Sequence, residues 1–210
     1  MSAPVTQSVP RRSPLQSDLF DKARETGLKN FIGTVFNTEV TISSKMVLRF
    51  IADRFYPLGN DIFYVLVVAP NVLRKKFPPS EKLLEALDAL AVELKGKEES
   101  LTKDLGDGFN IHSLVSQQIN GTIGIIHPKI RQLLSILLAA DRVLIMVDAL
   151  WIHGGIEDEI RNELNSQVRN LLHNFAGVVK NAAVVARQVV RESHQVKAPD
   201  VVEGLQDDPS

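Results

Sequence analysis

Residues 36–43, "FNTEVTIS", alternate in a way that few other stretches of this chain do. Phe36, Thr38, Val40 and Ile42 fall on one side; Asn37, Glu39, Thr41 and Ser43 fall on the other. That period of two, with β-branched residues dense in it, predicts a half-buried strand. Everything around it reads helical. An isolated strand leaves its backbone groups unpaired and is not stable alone. A partner strand is therefore required, and none is obvious next to it in sequence. The expectation is that a second copy of the chain supplies it.

The remaining chain divides readily. Residues 1–16, with three prolines and Arg11–Arg12, read as a flexible arm whose arginines are candidates for phosphate contact. Ser17 caps a short helix carrying Phe20, Ala23 and Leu28, ended by Gly33. After the strand, Ser43 or Ser44 caps a helix to Phe55, with Met46, Val47, Phe50 and Ile51 inward. "YPLGN" reads as a break. Asn60 then reads as the N-cap of a second, largely apolar helix, with Asp61 in its first turn. Residues 80–105 form a long helix, with Leu83, Leu87, Leu90 and Leu94 at helical spacing. Residues 109–126, interrupted by glycine, read as loop with possible short strands. Pro128 starts a strong helix to about Ile152, ended by Gly154–Gly155. Two helices follow, at about 156–174 and 176–193, and then an acidic tail over 195–210. The domain expectation is an arm (1–16), a strand-and-helix unit (17–78), a helical extension (79–194) and a tail (195–210).

Composition narrows the function classes. Hydrophobic residues make up 44% and charged ones 23%, enough for a buried core. The formal charge of −1 means that any nucleic-acid site is a local patch. With no cysteine, disulfides and thiolate metal sites are excluded. The most apolar run, residues 133–152, carries Asp141, Arg142 and Asp148, which suits a buried core helix and not a membrane span. No apolar stretch follows a basic start, so a secretory leader is not expected, and the chain reads as cytoplasmic.

Catalytic signatures are missing. There is no GxGxxG after a strand, no phosphate-binding Walker loop, no HExxH and no GxSxG. The five histidines show no metal-ligand spacing, so no cofactor or metal is expected. His112 and His127 flank the glycine-interrupted segment and read as loop residues. Glu157, Asp158, Glu159 and Glu163 read as a solvated helix N-terminus, and Trp151 as a core residue. No small-molecule substrate is evident.

Strand, capped helix, short turn and buried helix is the order of a ribbon–helix–helix DNA-binding unit, in which strands from two chains pair into a ribbon that enters the major groove. The same order also fits a strand paired inside a small sheet with helices as core. On the first arrangement Phe36, Val40, Ile42, Ile62, Val65 and Leu66 form the dimer core. Asn37, Glu39, Thr41 and Ser43 face base edges, with Glu39 accepting from a cytosine amino group or turning aside. Lys45, Arg49, Arg54 and the helix start at Asn60 meet phosphates.

The stretches "EVTISSKMVLRFIADRF" (39–55), "PLGNDIFYVLVVAPNVLRKKF" (57–77) and "HPKIRQLLSILLAADRVL" (127–144) resemble the AcaB-like family carried by conjugative plasmids and integrative conjugative elements. The resemblance spans most of residues 35–175 and rests on soft patterns. It implies a ribbon–helix–helix homodimer that binds promoter DNA and activates transfer genes. The expected fold class is thus mainly α, with a ribbon–helix–helix unit and a C-terminal helical extension. The expected partners are double-stranded DNA and a second copy of the chain, with no membrane and no enzymatic activity. The rival reading is a non-enzymatic helical interaction factor of a conjugation system.

Overall fold

A computed structural model of the chain describes residues 14–29, 31–74, 76–106 and 118–195. Its elements, in order, are α1 (Pro14–Leu28), β1 (Phe36–Ile42), α2 (residues 45–73), α3 (Pro78–Leu105), β2 (Ile119–Ile125), α4 (Pro128–Ile152) and α5 (Asp158–Gln195). One apolar cluster runs through them from Phe20 to Val190.

The strand at 36–42 forms where expected, but its partner lies in its own chain. β1 pairs antiparallel with β2, from Phe36 opposite Ile125 to Ile42 opposite Ile119. This overturns the ribbon–helix–helix unit with a strand shared across a dimer. The partner is part of the segment read as loop with possible short strands. The residues assigned to a dimer core pack instead within one chain: Val40, Ile42, Ile62 and Val65 are buried and Leu66 is half-buried. Phe36 is the exception, 68% exposed at the end of the strand.

The break expected at "YPLGN" is also absent. Residues 45–73 are continuously helical, with π-helical turns at Ile51–Phe55 and Tyr64–Val68. Each π turn ends just before a proline, Pro57 or Pro70. Proline has no N–H and its ring presses on the preceding turn of an α-helix; widening that turn lets the helix pass through. At the second, the amide of Ala69 bonds to the carbonyl of Tyr64. The next carbonyl, Val65, faces Pro70 and has no amide to receive. The Ser80 hydroxyl donates to it at 2.8 Å, which ties α3 to α2. Asn60 is therefore mid-helix and caps nothing.

α5 is one helix, not two. Its buried positions Val168, Leu172, Phe175, Val179, Ala183, Ala186 and Val190 keep helical spacing through the expected break. Gly177 sits on its open side, where an added Cβ meets nothing. α4 ends as expected: Gly154, at φ 72°, supplies the left-handed residue, and Gly155 N–H donates to Leu150 O at 2.8 Å. No helix among the described residues is long and apolar enough to cross a membrane.

Two polar contacts fix the sheet on the helices. Asp141, in the middle of α4, is 4% exposed. Its carboxylate accepts from the backbone N–H groups of Ser43 (3.0 Å) and Ser44 (2.7 Å), where β1 turns into α2. Ser44 also caps α2, accepting from Val47 N–H. Burial pushes the Asp141 carboxyl above its usual range; the two amide bonds and nearby Arg142 only partly offset this. On the other side of the sheet, the Tyr56 hydroxyl accepts from the buried Gly124 N–H at 3.0 Å. That N–H is on the free edge of β2.

Replacing Asp141 by Ala leaves two part-buried amides without their acceptor, and chemical denaturation should show a loss of about 2–4 kcal/mol. The pH response has a definite sign. The folded carboxyl holds its proton more tightly than the unfolded one, so Asp141 makes the fold less stable as pH rises from the ordinary carboxylate range through the folded value. Asp141→Asn removes that titration. The stability of wild type minus that of Asp141→Asn should therefore fall as pH is raised from about 4 to 7; a difference that grows would contradict the buried carboxylate. Tyr56→Phe should cost about 1–3 kcal/mol and speed amide exchange at Gly124, because one buried donor loses its acceptor.

Candidate nucleic-acid interface

Directly opposed residues of an antiparallel pair share a face. Thr38, Val40 and Ile42 with Ile123, Gly121 and Ile119 therefore face the helices, and Asn37, Glu39 and Thr41 with Gly124, Thr122 and Asn120 face away. On the outer face Asn37, Glu39, Thr41 and Asn120 are exposed and Thr122 is half-buried. Thr41 Oγ1 donates to Asn120 Oδ1 at 2.7 Å across the two strands. That bond does not use the Asn120 amide donors or the Thr41 methyl, and both residues are exposed; such groups can bond a base edge or touch a thymine methyl.

The opposite end of that face is closed. A Cβ on Gly124 would run into Leu28 and Val35, and one on Gly121, on the inner face, would run into Phe20. α1 thus wraps the free edge of β2, with Phe20 below the sheet and Leu28 above. A Cβ on Gly27 would overlap the Tyr56 side chain, so α1 also seats directly on α2. Glycine fits at these crossings because the side chains of Tyr56, Phe20, Leu28 and Val35 already fill the space a Cβ would take. The open part of the ribbon is consequently the end bearing Glu39, Thr41, Asn120 and Thr122.

Among the described residues, each one proposed from sequence has a definite place. Asn37, Glu39 and Thr41 lie on the outer face. Ser43 lies past the strand, half-buried, with its N–H held by Asp141. Asn60 is not at a helix start: its Nδ2 donates to Gly27 O at 3.1 Å and helps to hold α1. Lys45 and Arg49 line an open cleft between α2 and α5, together with Arg54 and Arg169. Arg11, Arg12 and His112 lie outside the described residues. His127 is the N-cap of α4, its Nδ1 accepting from Lys129 N–H at 3.1 Å; burial and the Lys129 charge lower its pKa. Trp151 is not a core residue: it is 38% exposed, and the Arg161 guanidinium, also bonded to Asp148, lies 4.1 Å over its ring. Asp158 and Glu159 occupy the first turn of α5, as the helix dipole favours.

Asn120, Thr122 and Arg169 were not identified from sequence. Ile119, Ile123 and Ile125 do carry a period of two, but Gly121 and Gly124 interrupt it. Arg169 belongs to a helix whose face could not be oriented before its packing was known.

No family model matches the sequence, and no curated protein matches it. Among solved structures, the crystal structure of selenomethionine-containing AcaB from uropathogenic E. coli superposes with a TM-score of 0.66. The two chains are 20% identical, and the match covers 80% of this chain and 90% of that one. The chain is thus similar to AcaB in fold over most of the length of both.

Proposed function

We propose that the chain is a DNA-binding regulator whose reading element is a two-stranded ribbon made by a single chain. The observation that carries this reading is the exposed Thr41–Asn120 pair, with Asn37 and Glu39 beside it, on the outer face of β1 and β2. The major groove admits a two-stranded ribbon, and short polar side chains can reach base edges from it. In this reading Asn120 bonds an adenine or a neighbouring base, Thr41 orients Asn120, and Glu39 accepts from a cytosine amino group. Ser43 and Asn60 have no part in it, because other bonds occupy them. The fold shared with AcaB and the sequence resemblance to the AcaB-like family support a regulatory role, acting in the cytoplasm on genes of conjugative transfer. Activation, as opposed to repression, rests on that resemblance alone. The protein binds DNA and carries out no catalysis.

A second reading, a helical interaction factor, draws on Trp151, Ile152 and Ile160, which are all exposed around the turn between α4 and α5. The two readings separate in one experiment. Selection of binding sites from a random duplex pool should return a defined sequence. Gel shifts with Thr41→Ala plus Asn120→Ala should then lose about tenfold or more of the preference for that sequence over random duplex. A pool that never converges would remove the regulator reading and leave the helical factor.

A further inference from the structure

The cleft between α2 and α5 has a charge pattern that the ribbon does not explain. Lys45, Arg49, Arg54 and Arg169 line a volume of about 510 Å³, with Asp53 the one acidic residue among its lining. An adjoining recess of about 400 Å³ shares Asp53 and Arg54 and adds Lys180. All five cations are exposed. Among the described residues none of the five is in an ion pair, whereas Arg24, Arg142, Arg161 and Arg187 are each paired to a carboxylate. Asp61, at the rim of the recess, is already bonded to Arg187. The chain as a whole is at −1, so this concentration of unneutralised positive charge is local.

We infer that the α2–α5 cleft seats the phosphate backbone of duplex DNA, as a site separate from the reading face of the ribbon. This deepens the proposed function and rests on it. Lys45 to Arg54 spans about 14 Å along α2 at 1.5 Å per residue. One DNA strand presents a charge about every 3.4 Å along its axis, so the row matches roughly four phosphates. An elongated, open row suits a backbone better than a compact anion. The apolar lining of the larger cleft is Met46 and Phe50, half-buried and buried, so no apolar side chain protrudes there to enter a lipid surface. Lys45 is also the first residue of α2, three residues past the end of β1, so a duplex on the ribbon lies next to the start of the row.

The test uses the full chain and a short duplex of arbitrary sequence, titrated by fluorescence anisotropy over a series of salt concentrations. Wild type should show log K falling with log salt at a slope of about −3 to −4. Arg49→Gln plus Arg169→Gln, both on exposed side chains, should reduce that slope by about 2 and weaken binding at least tenfold at moderate salt. Lys82→Gln plus Lys95→Gln on α3 is the charge-matched control and should leave the slope as it is. An unchanged slope in the cleft variant, or no salt-dependent binding by wild type, overturns the cleft as a backbone seat. So does competition by millimolar inorganic phosphate, which would mark a small-anion site. Failure of the function reading looks different: duplex is bound with this salt slope, the cleft variant weakens it, and no sequence is preferred.

Discussion

The architecture depends on one buried carboxylate. Asp141 accepts from two successive amides at the point where β1 ends and α2 begins, and so fixes a strand, a helix start and the longest apolar run of the chain to one another. A charge at 4% exposure is costly unless donors meet it. Here the donors are the backbone groups that a helix start leaves free. In this fold a carboxylate from α4 serves them. The acidic group in the middle of that run is thus an anchor, and its cost is the raised affinity for a proton.

Much of this was legible from residue order, and the failures have physical causes. α3 and α4 could be read because leucine and isoleucine recur at helical spacing between clear start and stop residues. β1 could be read because its alternation is unbroken. β2 could be read only as a possible short strand, because Gly121 and Gly124 erase its alternation. Those glycines are present because Phe20 and Leu28 of α1 press on both sides of the strand. What hides the strand in sequence is the contact that protects its edge in space. The false break at residues 56–60 came from treating Pro57 as a terminator; a π turn absorbs it. The break expected between residues 174 and 176 in α5 is false because a buried stripe continues on both sides of it.

The expectation of a second chain was sound as physics and wrong as an assignment. A strand does need a partner, and α2 and α3 merely separate the two strands along the chain. Asn37, Glu39 and Thr41 sit where alternation put them, and Ser43 does not. The site gained its other half, Asn120 and Thr122, only once the pairing was known. Arg49 and Arg54 were recognisable as candidate cations, but their convergence with Arg169 depends on how α5 crosses α2, which no local pattern encodes.

Because both strands belong to one polypeptide, they are free to differ, and they do: FNTEVTI faces INGTIGI. A recogniser assembled from two identical subunits offers the same surface twice about a rotation axis, and its target repeats in inverted order to match. This ribbon has no such axis. Glu39 and Thr41 have no counterparts of their own kind across the pair, where Thr122 and Asn120 stand instead. If the ribbon reads DNA as proposed, the stretch suited to one ribbon has a direction of its own.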